Sequence, residues 1–514
     1  MSTGVFYVTT PIYYVNDVPH LGHAYTTVAA DFIARFRRMQ GRQVWFLTGT
    51  DEHGQKILRT AEERGLTPIE WTDSIVPRWT EVWEALQITN DDFIRTTEAR
   101  HEGPVARFVQ DLYDKGEIYL GTYEGLYCVQ CEAFYTPEDL VDGKCPQHGT
   151  EPELIKEDNY FFRLSKYVDA LIERYETNER AIMPEVRRNE ILGKLRQGLE
   201  DLSISRVSFD WGVKLPMDPS HVIYVWVDAL QNYTTAVGYG SDEERFALVW
   251  PADIHFVGKD ILWFHSVIWP AMLMAQGLPL PETVYAHGFL QVGGEKMSKS
   301  KATGISPHDL METFGSDGYR YYFMREISFG QDGSFSWESM VERYNFDLAN
   351  DLGNLCQRVI SMIGRYLDGV VPQVPSYDEI RDEDESLRAA FDKALEQMSA
   401  AVDDISPTEA LKACWGAVRR ANAYVEEVAP WALAKDPEQR RRLEVVLYNL
   451  AEGLRNLALM TSPITPRAAA ELWRRLGLSG EVTDATFEMM GFGTLAPGTR
   501  LEAGDPLFPR IEAG

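Results

Sequence analysis

Cysteine is scarce in this chain, with five residues among 514, and this scarcity excludes a scaffold built on disulfides. Basic side chains are also in deficit: 50 Lys and Arg stand against 78 Asp and Glu, a formal net charge of -28. That charge excludes general affinity for nucleic acid or anionic membranes, so an RNA partner would need a local basic face. No apolar run approaches the ~18 residues of a membrane span. We therefore expect a cytoplasmic protein without a secretory leader.

A strand followed by a helix opens the chain. Residues 4–10 (GVFYVTT) are β-branched and aromatic, as in a buried strand. Apolar residues then recur at helical spacing, and Pro19 is expected in the first turn of that helix. His20 and His23 would share one face at its N-terminus, where unpaired N–H groups favour a phosphate. Gly22 lacks a Cβ atom and would let a flat base or a phosphate approach the backbone.

A second strand at residues 43–47 runs into the loop TGTDEHG. Ligands of open parallel sheets bind beyond the carboxyl ends of strands, so Asp51 and His53 are expected to hold a polar substrate. The alternative is that Asp51 only caps the next helix. Further strands are predicted at residues 222–227 (VIYVWV), 254–257 (IHFV) and 283–287 (TVYAH). These patterns predict an α/β, Rossmann-like parallel sheet.

Aromatic and imidazole side chains accompany the later strands. Trp226, Tyr233 and His287 would offer polarisable walls to a substrate held near the carboxyl ends of the strands. Periodicity alone leaves open whether Trp226 instead belongs to the sheet core.

Three of the five cysteines lie close to one another and to a histidine. Cys128 and Cys131 form one short-spaced pair, and Cys145 and His148 form a second. Three thiols and one imidazole at these spacings match a closed, structural zinc knuckle. The surrounding segment is acidic and has no basic recognition helix, which disfavours a DNA-reading finger. We predict one structural Zn²⁺ within an insertion at residues 116–214.

A loop rich in lysine lies far downstream of the histidine pair. Lys296 and Lys299 flank serines in KMSKS, directly before a Gly/Thr/Ser-rich segment. Two lysines on such a loop can reach a polyphosphate, although a loop of this kind taken alone is more often a solvated basic turn. HLGH at residues 20–23 and KMSKS at residues 296–300 together resemble the signature sequences of class I aminoacyl-tRNA synthetases.

The resemblance becomes narrower when more of the chain is included. Six segments resemble the methionyl-tRNA synthetase family: TPIYYVNDVPHLGH, GTDEHG, YVWVDAL, HFVGKD, AHGFL and KMSKS. The single set of zinc ligands is similar to the family's single-knuckle subgroup. The resemblance implies a methionine-tRNA ligase, which activates L-methionine with ATP and Mg²⁺ and charges tRNA(Met), including the initiator.

The resemblance also implies roles for individual residues. The methionine pocket would contain Ile12, Tyr14, Asp51, Trp226, Ala229, Tyr233 and His287, with Asp51 binding the α-ammonium group. ATP would be bound by His20, Gly22, His23, Gly258, Asp260, Lys296 and Lys299, and the two histidines and two lysines would serve catalysis. The anticodon would be read by Asn354, Arg358, Pro430 and Trp431. An aromatic slot suits a thioether, and a carboxylate suits an amine.

Long helical periodicity fills the last third of the chain and favours a bundle. Amphipathic helices are predicted at residues 338–366, 383–402, 408–428 and 438–460. Trp431 could stack an unpaired base there, and the alternative is that it belongs to the bundle core. The segment after the bundle is too short for an added dimerising domain, so we expect a monomer.

The predicted domain organisation combines these elements. A Rossmann-like catalytic domain in two halves, residues 1–115 and 215–290, would enclose the zinc-containing insertion at 116–214. The KMSKS loop and stem-contact region would occupy 291–345, the all-α anticodon-binding bundle 346–480, and a tail 481–514. Three other interpretations stay open: a class I synthetase for another amino acid, an HxGH nucleotidyltransferase, and a non-catalytic RNA-binding module.

Overall fold

The computed structural model describes residues 4–131, 133–135, 139–146, 148–207, 209–292 and 306–512. Its strands are β1 (Val5–Tyr14), β2 (Gln43–Asp51), β3 (Asp92–Arg95), β4 (Ile118–Cys128), β5 (Ala133–Tyr135), β6 (Glu153–Phe162), β7 (Ile182–Met183), β8 (Leu202–Ser203), β9 (Ser205–Arg206), β10 (Val222–Ile223), β11 (Ile254–Gly258), β12 (Thr283–His287), β13 (Leu290–Val292) and β14 (Gly333–Phe335). Its α-helices are α1 (Leu21–Met39), α2 (Gln55–Glu63), α3 (Pro68–Ala85), α4 (Ala99–Asp114), α5 (Val168–Thr177), α6 (Glu185–Leu195), α7 (Val225–Ala229), α8 (Asn232–Thr235), α9 (Glu243–Val249), α10 (Trp269–Gln276), α11 (Pro307–Glu326), α12 (Trp337–Arg343), α13 (Asn354–Tyr366), α14 (Asp382–Asp403), α15 (Pro407–Val428), α16 (Pro430–Leu433), α17 (Arg440–Thr461) and α18 (Pro466–Arg475).

Contacts divide the chain into two compact units. The first unit comprises Met1–Pro19, Val44–Val82 and Asn90–His287, and the second comprises His20–Gln43, Trp83–Thr89 and Gly288–Gly514. The domain boundaries expected from the sequence stay predictions. Within the described residues, no helix is long and apolar enough to cross a membrane.

A six-stranded sheet organises the first unit, in the order β3-β2-β1-β11-β12-β7. The pairs β2–β3, β1–β11, β11–β12 and β12–β7 are parallel. The strand order reverses between β1 and β11, and this reversal is the switch point beyond which open α/β sheets bind their ligands. The predicted Rossmann-like α/β class is therefore confirmed.

The central pair of strands is joined by side chains as well as by the backbone. Val8 pairs with Ile254 in register. Just before that pair, the N–H of Tyr7 donates to the carboxylate of Asp253 at 2.8 Å, and the N–H of Asp253 donates to the carbonyl of Tyr7 at 2.8 Å. Tyr7 and Val8 are fully buried. Bulky, β-branched and aromatic residues thus form a strand here because both faces of the sheet are covered.

The insertion carries a second, antiparallel sheet in the order β5-β4-β6-β8. Its long hairpin pairs β4 with β6, from Ile118 opposite Phe162 to Tyr127 opposite Glu153. The strand ends in the cysteine cluster, because Cys128 is the last residue of β4 and is buried.

The predicted strand at residues 222–227 is wrong beyond its second residue. Only β10 is extended, and it pairs antiparallel with β9 in a separate two-stranded sheet. The chain then turns into α7, because the carbonyl of Tyr224 accepts the N–H groups of Val227 and Asp228 at 2.9 and 3.1 Å. β-Branched composition predicted a strand here, but the backbone instead forms local helical hydrogen bonds to Tyr224. Trp226 therefore lies on a helix, and the sheet-core alternative is wrong.

Long helices dominate the second unit, as predicted. α14 packs along α15, while α13 and α15 pack against α17. The predicted helix at residues 338–366 is helical throughout, but its middle turns, Tyr344–Gly353, are a π-helix. The wider turns bring the carbonyl of Asp347 within 3.2 Å of the indole N–H of Trp415. Such a π segment inside a helix is uncommon.

The helix that carries the histidine pair, α1, packs against α11 within the second unit. His20 is the N-cap residue of α1. Pro19 therefore precedes the helix, and its predicted place in the first turn is wrong. The helix ends at Gln40, its C-cap, and the next residue, Gly41, has a φ of +76°.

A buried ion pair connects α1 to α11. The carboxylate of Asp31 lies 2.6 Å from the guanidinium of Arg320 and 2.7 Å from that of Arg35. Arg320 also donates to the carbonyls of Leu86, Pro463 and Ile464 at 2.9–3.1 Å. Burial alone would raise the pKa of Asp31, but the two guanidinium groups hold it at about 2.

Replacing Asp31 with Asn should lower the thermal unfolding midpoint at pH 7 by several degrees. The substitution leaves two buried arginines without their carboxylate, and breaking a buried pair costs about 3–5 kcal/mol. Because the pKa is depressed to about 2, the stabilisation is complete above ~4 and is lost as the pH falls through 2. The difference between wild type and Asp31→Asn should therefore shrink over that interval in calorimetry.

Asp403→Asn provides the control for that experiment. Asp403 also pairs with an arginine of α1, Arg37, at 2.8 Å, but 65% of its side chain is exposed. Exposed pairs contribute little. An equal loss of stability in the two variants would contradict the argument from burial.

Candidate active site

Two histidines open α1 in the second unit. The Nδ1 atom of His20 accepts the N–H of Gly22 at 3.1 Å, and the Nδ1 atom of His23 accepts the N–H of His20 at 3.3 Å. The two rings stack with centroids 3.5 Å apart. Burial and the neighbouring His20 lower the pKa of His23 well below its ordinary value. Since each Nδ1 accepts a backbone proton, a neutral ring carries its own proton on Nε2, where it is a donor.

Gly22 has a steric role in this turn. A Cβ atom at residue 22 would lie only 3.0 Å from Cε1 of His20. Glycine therefore lets the His20 ring fold back over the helix N-terminus and cap it. This is a reason for glycine in addition to the expected approach of a ligand, which stays a prediction.

Asp51 is the last residue of β2 in the first unit, and 6% of its surface is exposed. Its carbonyl accepts the N–H of Val15 at 3.4 Å, which joins the carboxyl ends of β2 and β1. The alternative that Asp51 caps the next helix is wrong, because the N-cap of α2 is Gly54 and no side chain caps it. Asp51 therefore lies where a sheet of this class holds its ligand.

His53, two residues further on, belongs to a buried ionic cluster that the sequence did not reveal. Its Nδ1 atom lies 2.7 Å from Oδ2 of Asp228, and Nε2 of His101 lies 2.9 Å from Oδ1 of the same carboxylate. Burial would lower the pKa of His53, but Asp228 raises it to about 10. The histidines in turn hold the pKa of Asp228 at about 2, against the effect of burial. His53 and Asp228 are therefore an ion pair at neutral pH.

The other residues predicted for the pocket include aromatic rings that pack against further aromatic or imidazole rings. Trp226 stacks on Phe264 with centroids 3.9 Å apart and planes at 7°. Tyr233 is buried, and its hydroxyl lies 2.8 Å from Nε2 of His265. Ile12 packs against the same hydrophobic core as Tyr233, and Ala229 is buried. These contacts form an apolar wall with a single polar end.

His265 is the histidine that contacts Tyr233, and sequence analysis missed it in favour of His287. Its Nδ1 atom donates to the carbonyl of Ile261 at 2.9 Å, so Nε2 accepts the proton of the tyrosine hydroxyl. Burial lowers the pKa of His265 to about 4, which keeps the ring neutral. His265 lies within a π-helical turn, Phe264–Ile268, and such a turn has no simple sequence signal.

His287 and the predicted nucleoside residues end two neighbouring strands. Gly258 ends β11 directly beside His287, the last residue of β12. The carbonyl of His287 accepts the N–H of Lys259 at 3.0 Å. A Cβ atom at residue 258 would lie 2.4 Å from Oδ1 of Asp260, so a larger residue there would displace the Asp260 carboxylate. The roles of these residues toward ligands stay predictions.

The two lysines predicted for catalysis, Lys296 and Lys299, lie outside the described residues. The anticodon residues Asn354 and Arg358 lie on α13, whereas Pro430 and Trp431 begin α16. The guanidinium carbon of Arg358 lies 5.7 Å from the Trp431 ring centroid. Trp431 is 37% exposed, so the alternative that it belongs to the bundle core is wrong.

Four predicted metal ligands meet in the insertion. The ligand atoms of Cys128, Cys131, Cys145 and His148 all lie within 4.8 Å of one another. Sγ of Cys131 lies 3.4 Å from Sγ of Cys145 and 3.1 Å from Nδ1 of His148. Donor atoms bound tetrahedrally at ~2.0–2.3 Å are separated by about 3.5–3.8 Å, so the residues present fit a metal ion.

The sheet with its switch point, the capped histidine pair and the helical second unit define the class of protein. Residues 6–151 and 135–360 match the family described as tRNA synthetases class I (M). Residues 374–514 match the anticodon binding domain of methionyl tRNA ligase. This is a class I aminoacyl-tRNA synthetase.

Individual relatives identify the family. The methionine-tRNA ligase of Streptomyces coelicolor is 51% identical over 523 residues, covering 99% of this chain and 97% of the relative. That of Caldanaerobacter subterraneus is 50% identical, covering 99% and 79%. The solved methionyl-tRNA synthetase of Mycobacterium tuberculosis in complex with methionyl-adenylate has a TM-score of 0.93 and 43% identity, covering 99% of this chain and 100% of that one. The chain belongs to the methionyl-tRNA synthetases.

Proposed function

We propose that this enzyme activates L-methionine with ATP and transfers the methionyl group to the 3′ end of tRNA(Met), including the initiator. The observation that carries the proposal is the group of aromatic rings in the first unit: Trp226 stacks on Phe264, and both Trp226 and Tyr233 contact His265. A thioether makes favourable contacts with aromatic rings. Membership of the family supports the same substrate.

In the first step the carboxylate of methionine attacks the α-phosphorus of ATP in line. The bond from that phosphorus to the bridging oxygen breaks, and pyrophosphate leaves with the electron pair. Asp51 would hold the α-ammonium group, while Ile12, Tyr14, Trp226, Ala229, Tyr233 and His287 would surround the side chain. Nε2 of His265 would accept the hydroxyl proton of Tyr233 and so fix the orientation of that hydroxyl. Positioning, rather than covalent participation of the protein, carries this step.

Charge on the phosphates would be met by hydrogen-bond donors. His20 and His23 would donate from Nε2, since their Nδ1 atoms accept backbone N–H groups. The N-terminus of α1 adds its own partial positive charge. Gly22, Gly258 and Asp260 would bind the nucleotide, Lys296 and Lys299 would neutralise the leaving pyrophosphate, and ATP would enter as its Mg²⁺ complex.

In the second step a ribose hydroxyl of the tRNA attacks the carbonyl carbon of the adenylate, and AMP leaves. The second unit would select the tRNA. Trp431 offers an exposed ring for an unpaired base, and Arg358 lies over that ring with Asn354 on the same helix. Pro430 and the left-handed Ala429, with a φ of +41°, fix the turn that presents Trp431.

The metal of the insertion would be one structural Zn²⁺. Three thiols and one imidazole leave no open position, so the ion would stabilise the turn between β4 and β6 and take no part in the reaction. We propose further that the enzyme works as a monomer in the cytoplasm. No disulfide joins any of the five cysteines, all of which the structure describes, and this suits a reducing compartment.

Methionine should be the only one of the twenty amino acids that supports rapid ATP–pyrophosphate exchange. The slot buries a thioether, and a hydrophobic pocket separates side chains that differ by one methylene by about 1–3 kcal/mol. The measurement is amino-acid-dependent exchange without tRNA. If a different amino acid supports exchange and methionine does not, that amino acid is the substrate. Exchange without any amino acid would indicate a nucleotidyltransferase.

Plasma emission spectrometry of the purified protein should find one Zn²⁺ per chain. Cys131→Ser should lose the ion and expose residues 128–148 to proteolysis, because zinc ligation contributes about 10–16 kcal/mol to the folding of small sites. Cys414→Ser is the control, since Cys414 is buried in the second unit. Full zinc content in Cys131→Ser would refute the ligand set.

Trp431→Ala should weaken charging of tRNA(Met) without changing methionine-dependent exchange. Loss of base stacking costs about 1–3 kcal/mol, or roughly 5–150-fold in kcat/KM for tRNA. Trp431→Phe keeps a ring and should retain most of the activity. Equal charging by Trp431→Ala and wild type would remove Trp431 from the anticodon site.

A further inference from the structure

His53 contacts two other elements of the predicted methionine pocket. Its carbonyl accepts the hydroxyl proton of Tyr14 at 2.8 Å, which ties it to the end of β1. Its ring reaches Asp228 of α7 at 2.7 Å. His53 also follows Asp51 by two residues in the loop after β2. One residue thus connects the three elements that carry Tyr14, Asp51 and Trp226.

Asp228 is held from its other side as well. Its second oxygen lies 2.9 Å from Nε2 of His101, and Nδ1 of His101 lies 2.8 Å from the hydroxyl of Thr235. His53, His101 and Asp228 are all buried, with at most 2% of each residue exposed. Buried charges are costly unless they are paired, so a fully bonded cluster of this kind holds its geometry firmly.

Resting on the proposed function, we propose that the His53–Asp228–His101 cluster is a positioning device for the α-ammonium group of methionine. It fixes the Asp51 loop against α7, and so sets the distance between the ammonium-binding carboxylate and the aromatic wall. These three residues are positioning residues. The residues that would contact methionine itself are their neighbours Tyr14, Asp51 and Trp226.

The charges around the cluster support this role. Asp228 and Glu102 face the two ring nitrogens of His53, at 2.7 and 3.6 Å. Asp51 adds to the attraction that keeps the imidazolium charged. Asp228 thereby anchors the His53 ring, which belongs to the same loop as Asp51.

Asp228→Asn tests the proposal in methionine-dependent exchange. Asparagine keeps the shape but removes the charge, and losing a charged hydrogen bond should raise the KM for methionine about tenfold. The KM for ATP should stay within about twofold, because the cluster touches none of the residues assigned to phosphate. His101→Gln keeps the His53–Asp228 pair and should give a smaller rise. Equal increases in both KM values, or none, would overturn the proposal.

Two competitive inhibitors separate positioning from general damage. Methioninol keeps the amine of methionine, and 4-(methylthio)butanoate lacks it. Asp228→Asn should weaken methioninol about tenfold and leave 4-(methylthio)butanoate within about twofold, since only the ammonium group depends on Asp51. Equal weakening of the two inhibitors would mean that the cluster only supports the fold.

His221→Gln is the matched control. His221 is also buried in the first unit and bonds to Ser205 at 3.0 Å, but it lies outside the cluster. His221→Gln should leave the KM values for methionine and for ATP unchanged, even where it lowers the thermal unfolding midpoint as much as Asp228→Asn does, or more. If Asp228→Asn does not fold, the same two inhibitors are compared in His101→Gln. Selective weakening of methioninol would support the proposal, and equal weakening of both inhibitors would overturn it. Wild type without methionine-dependent exchange would refute the proposed function, whereas an active wild type with unselective variants would refute this inference only.

Discussion

The pairing of β1 with β11 is the constraint on which the first unit depends. It joins residues near position 8 to residues near position 254, and the chain between them includes the segment with the Cys128–His148 cluster. Closing so long a loop is entropically costly. The exchange of hydrogen bonds between Tyr7 and Asp253, and the contact of Thr9 with His255 at 2.8 Å, offset part of this cost at the strand pair itself. The switch point, and with it the ligand-binding edge, exists only once this pair has formed.

Local sequence patterns predicted the elements whose composition agrees with their conformation and failed at helical segments whose composition favours a strand or whose turns are widened. The strands ending at Gly258 and His287 were confirmed, and they are buried almost throughout, as their continuous apolar composition predicts; the amphipathic helices of the bundle were confirmed as well. The segment around Trp226 reads as a strand by composition, yet hydrogen bonds to Tyr224 wind it into a helix. The π-helical turns at residues 344–353 likewise depend on contacts that no local pattern contains.

The residues of the candidate site also divide into those that the sequence revealed and those that it did not. The four ligands of the cysteine cluster could be found from spacing, because they are close in sequence and meet around one point. Asp51 could be placed because strand ends are visible in the sequence. His265 and the pair formed by His53 with Asp228 could not, since each acts through a partner that is remote in sequence. The roles assigned to individual residues toward methionine, ATP and tRNA remain predictions.

Because α1 belongs to the second unit, it can pack against its partner helices only late in translation. α1 emerges from the ribosome early, whereas α11, which covers part of its surface, is translated almost three hundred residues later, after roughly 15–60 s. During that interval Asp31 has no Arg320 to pair with. A nascent chain stopped after His287 would contain the first unit's entire sheet and still lack this helix packing. Translation therefore has to continue past α11 and α15 before the N-terminal helix can be fully enclosed.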